Sequence, residues 1–337
     1  MHSHHAATHP AEPSPADRTP AGAGLSRRGL LAAAAGVALS GAGFASPARA
    51  AAAATGSPYF DLRTSSSPVL LGVRLHEAHR IMQSFAFDNV NARLFVAQAQ
   101  NSSSGDDLCI SELDLQGNLV GWMHLDSVGH GVSIGVEAVG SRSYLWTESR
   151  SSASDGSGRG TALQRFEFVS GQKPSDVRTF LTGSDNITCA VDQLSSRLLL
   201  RRRVKGRMEV SVHDLAAAAR GDFADPLART WLSGIPGVFQ GYTLHGDVAY
   251  VLSGQGHADP GDIDSRLTSF DLRTGRRVQS GVLTRAGASL RWREPEGMAV
   301  QRRADGQVRL CFGLASHDPR VPGVRLANIF TKGVLVG

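Results

Sequence analysis

Six side chains of the 337-residue sequence have the types and placement for recognition or acid–base chemistry: Gln83, His130, Gln240, Tyr242, Glu296 and Trp292. The first five fall at or near the beginnings of short apolar runs that recur about every 50–56 residues. Two amides, an imidazole, a phenol and a carboxyl form a set suited to hydrogen-bonding sugar hydroxyls and phosphates. His130, Tyr242 and Glu296 are also the residues with which an enzyme of this sequence would work. A glycosidase needs two carboxyls about 5–10 Å apart, and a lyase needs a base and a group that neutralises a uronate. Glu294, Glu137 and Glu148 are further carboxylates, and the last two suit hydrogen-bonded strand positions. Trp292 lies in a polar loop just before Glu294, where an exposed indole can stack on a sugar ring. The same polar residues also suit the satisfaction of backbone groups where structural units join. His130 is the ambiguous member, because Ser133 fits a strand register equally well and would leave His130 on the preceding loop. No cofactor and no metal is expected. Asp259, Asp262 and Asp264 resemble a calcium loop only loosely, and Cys109, Cys189 and Cys311 lack the spacing of a zinc site or a complete disulfide set.

The elements that must carry these residues read as strands. Apolar runs of four to seven residues, rich in Val, Leu, Phe and Tyr, are separated by Gly, Asp, Asn and Ser. Ser84–Asp88 with Arg93–Ala97, Gly131–Glu137 with Ser143–Thr147, and Ile187–Asp192 with Arg197–Leu200 form successive strand pairs. Gln240–Leu244 with Ala249–Leu252, and Glu296–Val300 with Val308–Phe312, continue the series. Third strands ending in Asp before a glycine turn follow, as in Ser111–Asn118 and Thr268–Gly275, and then a fourth. Five units of four strands predict an all-β fold, a five-bladed β-propeller over residues 69–337. Asp214–Gly221 predicts a short helix within a long hairpin loop. The last unit runs out after its third strand, Leu326–Phe330, and Val69–Val73 is the spare strand that can close the ring.

Upstream, Arg27 and Arg28 directly precede the Ala-rich apolar stretch Leu30–Phe44, which ends in the small-residue site Ala48-Arg49-Ala50. This pattern predicts a twin-arginine signal peptide over residues 1–50, a linker over 51–68, and a secreted or cell-wall-associated product. The apolar stretch is shorter than the roughly 20 residues of a spanning helix, so no integral membrane protein is expected after cleavage. The formal net charge is only +5, and the one dense basic stretch is Arg201-Arg202-Arg203 with Lys205 and Arg207. That stretch suits a solvated hairpin or an anionic polymer. Nucleic acid is not an expected partner of an exported chain without a recognised binding motif. A monomer is expected.

Met82–Asp88, Leu94–Gln98, Gly129–Glu137, Tyr144–Glu148 and Glu294–Met298 together resemble one family. It is the propeller family shared by secreted proteins labelled teichoic acid biosynthesis protein C and by phage receptor-binding or baseplate proteins. The resemblance spans roughly Val69 to Phe330. It implies an exported or phage-tail propeller, and its phage members engage cell-surface glycopolymers. The label does not imply synthesis, because an exported protein has no access to cytoplasmic nucleotide-activated precursors. The expected function is binding of an extracellular or cell-wall glycopolymer, teichoic-acid-like or another polysaccharide. A secreted polysaccharide hydrolase or lyase acting on the propeller axis and a protein-interaction scaffold remain the alternatives.

Overall fold

A computed structural model describes residues 57–100, 107–151 and 158–337. The expected leader over residues 1–50 and the first residues of the expected linker lie outside the described residues. In chain order, β1 (Tyr59–Phe60) and β2 (Ser67–Val73) precede blade one, formed by β3 (Met82–Asp88), β4 (Arg93–Ala99), β5 (Leu108–Asp114) and β6 (Leu119–Leu125). Blade two is β7 (Gly135–Val139), β8 (Arg142–Ser151), β9 (Gly160–Glu167) and β10 (Arg178–Phe180). Blade three is β11 (Asp185–Asp192), β12 (Arg197–Val204), β13 (Arg207–Asp214) and β14 (Ala228–Trp231). Blade four is β15 (Phe239–His245), β16 (Val248–Ser253), β17 (Arg266–Asp271) and β18 (Arg276–Leu283). β19 (Glu294–Arg302), β20 (Val308–His317) and β21 (Arg325–Lys332) begin blade five, and β22 (Leu335–Val336) ends the chain. This is a five-bladed β-propeller, nearly devoid of helix.

Blade position explains the strand sequences. The inner strand β3 is buried at every residue because blades pack against both of its faces, whereas β6 at the outside of the same blade alternates. Phe95, Ile110, Met123, Leu145 and Phe166 interleave in the core between blades one and two. Each fully buried side chain of this size contributes about 1.5–3 kcal/mol.

The fourth strand of blade five is β2. It pairs antiparallel with β21 through Ser67↔Thr331, Pro68↔Phe330 and Val73↔Ala327. Buried Asn328 anchors the pairing by accepting from the Gly72 N–H at 2.9 Å while donating to the Leu314 carbonyl at 2.9 Å. Residues 57–68, read from the sequence as linker, are instead part of the structure. β1 pairs with β22, and Phe60 and Leu62 are buried in the core of blades four and five. Gln279 clamps this segment, accepting from the Leu62 N–H at 2.9 Å and donating to the Phe60 carbonyl at 2.8 Å. The short alternation Tyr59-Phe60-Asp61-Leu62 directs Phe60 and Leu62 to one face, a period too brief to stand out beside the Pro- and Ser-rich flanks. The helix is α1 (Leu215–Arg220), capped by the Asp214 side chain and by Gly221 in the left-handed region.

Candidate functional site

A cavity of about 540 Å³ opens where the inner strands begin, and Gln83, His130, Gln240, Glu294 and Glu296 line it together with Arg80, Arg159 and Arg325. Bulges aim three of these side chains. The regular ladder of β3 with β4 is interrupted between Met82 and Ser84, that of β15 with β16 between Phe239 and Gly241, and that of β19 with β20 between Pro295 and Met298. Gln83, Gln240 and Glu296, the last together with Gly297, are left out of the pairing. A bulged residue turns its side chain out of the sheet's alternation, here toward the axis. Two glycines make the close packing of these bulges possible. A Cβ on Gly241, with φ +152°, would lie 2.6 Å from Gly297 Cα, and one on Gly297, with φ +74°, would lie 2.6 Å from Ser84 Cα.

His130 reaches the cavity by another route. Blade two begins only at Gly135, so His130 lies on the loop before it, the alternative that Ser133 had left open. Buried Glu148 shapes that loop by accepting from the Gly131 N–H at 2.8 Å, and it also accepts from the Gly160 N–H. These two donors directly follow His130 and Arg159. One carboxyl under the cavity floor therefore sets the position of two lining residues contributed by different segments. The Ser84 hydroxyl, donating to the Gly131 carbonyl at 2.6 Å, ties the same loop to blade one.

The electrostatics favour an anionic guest. Burial, with Arg159 adding to it, pushes His130 down to about 4, so its imidazole is neutral near pH 7. Burial, reinforced by the Glu294 charge, holds the Glu296 carboxyl well above the usual carboxylate range against the opposing pull of Arg159. Glu294 is raised as well, chiefly by burial, while a hydrogen bond from Trp292 and the charge of Arg325 act the other way. Three guanidinium groups thus face carboxyls that burial drives toward their neutral forms. Arg325 Nε and Nη1 are buried and hydrogen-bond to no protein atom among the described residues.

Two residues expected at the site stand elsewhere. Tyr242 follows the β15 bulge, back in the regular ladder opposite Val251, and is fully buried. Its hydroxyl lies 3.2 Å from Thr188 Oγ1, so it bridges blades three and four and does not line the cavity. Without Tyr242, the acid–base set of His130, Tyr242 and Glu296 is not assembled on the axis. Trp292 is 38% exposed and stacks on His317 at 5.3 Å. It lines a second cavity, of about 420 Å³, with Arg291, Asp259 and Asp318. His79, Arg80, Arg159 and Arg325 were missed because they sit in loops or at a third strand's start, outside the inner-strand repeat that made the other residues visible.

Among the described residues, no helix is long and apolar enough to cross a membrane. No curated protein sequence matches the chain. Residues 81–227 match the phage 5-bladed beta propeller receptor binding platform domain. The tail fiber of Staphylococcus aureus phage P68 is similar in structure, with a TM-score of 0.65 and 17% sequence identity over 82% of this chain. The chain spans about half of that fiber's length, 54%. The GH43 endo-arabinanase of Bacillus licheniformis, 11% identical over 78% of this chain and 96% of its own, has a TM-score of 0.43, too low to carry weight. By sequence over residues 81–227, and by fold over most of its length, the chain resembles the phage five-bladed β-propeller receptor-binding domains.

Proposed function

We propose that this protein binds an anionic extracellular glycopolymer, teichoic-acid-like or another charged polysaccharide, at the axial cavity. The observation that carries the reading is the lining itself. Gln83, Gln240 and neutral His130 offer hydrogen-bonding groups for sugar hydroxyls, while Arg80, Arg159 and Arg325 supply positive charge with which carboxyls neutralised by burial compete weakly. Guanidinium groups suit phosphate and carboxylate because their planar donors match two acceptor oxygens at once. The receptor-binding character of the matched phage domain supports the same reading. Binding of wall teichoic acid, a uronate polysaccharide and a neutral glucan by the intact protein tests it. Salt-sensitive affinity for a charged polymer is expected, and equal affinity for the neutral one would overturn the proposal.

One observation favours a catalytic reading. Glu294 and Glu296 face one cavity, and the Glu294 charge adds to burial in holding the proton on Glu296, so that one carboxyl can serve as acid while the other ionises. Turnover in the same panel would support it, with Glu296→Gln abolishing turnover by about 100-fold while binding persists.

The paired Arg27 and Arg28 support export by the twin-arginine route, which would bring the cavity to a cell-surface polymer. Changing both to Lys should leave the leader attached and the protein inside the cell; normal secretion would exclude that route.

A further inference from the structure

Away from the axial cavity, the segment joining β2 to β3 places His76 and Glu77 against His124 of β6. One nitrogen from each imidazole and one Glu77 oxygen all lie within 4.8 Å of one another. His124 Nε2 is 3.1 Å from Glu77 Oε1. Tetrahedral zinc with ligand bonds of about 2.0–2.1 Å requires donors roughly 3.3 Å apart, so modest side-chain rotation brings all three into range. The supporting backbone is already hydrogen-bonded to buried side chains. The His76 N–H donates to Ser111 Oγ at 3.0 Å and the Glu77 N–H to Gln98 Oε1 at 3.2 Å, while Gln98 Nε2 donates back to the Glu77 carbonyl at 2.8 Å. Gln98 and Ser111 are both buried. The His76 ring stacks on Trp122 with centroids 4.3 Å apart.

We propose that His76, Glu77 and His124 form a binding site for a divalent transition metal of the zinc class, pinning the closing segment of the ring to the outer strand of blade one. Two imidazoles and one carboxylate are a borderline-soft donor set that zinc accepts and that calcium and magnesium, which prefer oxygen, do not. Three protein ligands leave a fourth position for water or for an oxygen of a bound molecule. The half-buried setting admits an ion from solvent. The proposal does not rest on the reading of the axial cavity, although the same segment continues into His79 and Arg80, which line it.

Calorimetric titration of the chelator-treated full chain with Zn²⁺ alone, beside the His124→Ala variant, tests the site. His2, His4, His5 and His9 are common to both proteins, so their zinc binding cancels in the comparison. The wild type should show one equivalent that the variant lacks or binds at least about 100-fold more weakly, since changes even behind a ligand cost 10–100-fold. Zinc should also raise the thermal midpoint of the wild type and not of the variant. Identical isotherms for the two proteins would overturn the proposal and leave His124 and Glu77 as a hydrogen-bonded pair. Should His124→Ala fail to fold, Glu77→Gln preserves size and provides the same comparison. Co²⁺ then gives an independent signal: a visible ligand-field band in the wild type that weakens in Glu77→Gln supports the site, and its absence from both overturns it.

Discussion

The two ends of the propeller axis bury the same kinds of polar side chain for opposite ends. Where the inner strands finish, Asp88 and Asp192 occupy matching positions in blades one and three, each followed five residues later by an arginine. Asp88 accepts from the Val90 and Asn91 N–H groups, from the Asn91 amide and from the Ser143 hydroxyl of blade two. Asp192 accepts from Leu194, Ser195 and, across to blade four, the Gly246 N–H at 2.9 Å. Arg197 completes the second latch, donating to the Gly246 carbonyl at 2.9 Å and to Asp247 at 2.6 Å. Where the inner strands begin, Glu296 is buried with Glu294 repelling its charge, and Arg325 hides two nitrogens without a protein acceptor among the described residues. Buried polarity answered by neighbouring backbone belongs to architecture. Buried polarity left unanswered costs stability and is suited to a partner from outside.

Three substitutions put that contrast at risk. The largest effect belongs to Asp192→Ala, which leaves several half-buried donors without their acceptor and should destabilise the protein by roughly 2–3 kcal/mol. Urea unfolding measures it, and a loss under about 0.5 kcal/mol would erase the distinction between the two ends. Arg325→Ala should do the reverse, weakening affinity for a charged polymer about tenfold, near 1.4 kcal/mol, with stability held or slightly improved. Titration against the polymer and a parallel melt decide it; a large loss of stability with affinity intact would make Arg325 a structural residue.

Glu296→Gln should have the smallest effect, and its pH dependence carries the information. A carboxyl whose native pKa is raised stays protonated in the fold while the unfolded chain ionises from about pH 4.5 upward. Above that point the native state binds more protons than the unfolded one, so stability falls as pH rises through the window. Glutamine has no proton to lose. Its thermal midpoint should match the wild type near pH 4 and exceed it by roughly 2–4 °C near pH 8. A gap that narrows with rising pH would mean that Glu296 is held ionised.

Much of this architecture is legible in the sequence because a propeller repeats. The strand pairs, the closing role of Val69–Val73 and the capped helix after Asp214 all follow from local pattern. The bulges do not, since period two assumes an uninterrupted ladder. Gln83, Gln240 and Glu296 stood out only as residues at strand starts, and the same logic placed Tyr242 beside Gln240, two positions on. The bulge resets the alternation between them and sends the phenol into the blade interface. Arg80, Arg159 and Arg325 carry the charge of the cavity from positions with no periodicity to betray them. His76, Glu77 and His124 meet through the fold alone, with β3 to β5 lying between them in the chain.

The strand that closes the ring also sets a clock. β2 leaves the ribosome well before β21, and 256 residues separate the Gly72–Asn328 contact that joins them. At about 5–20 residues per second, β2 waits roughly 13–50 s for its partner. During that time Leu70 and the backbone donors of β2 have no sheet to join, and blade one can fold while the final blade cannot. Completion of the ring therefore reports that synthesis has passed β21, and a product truncated before that strand carries an open blade edge by which quality control can know it.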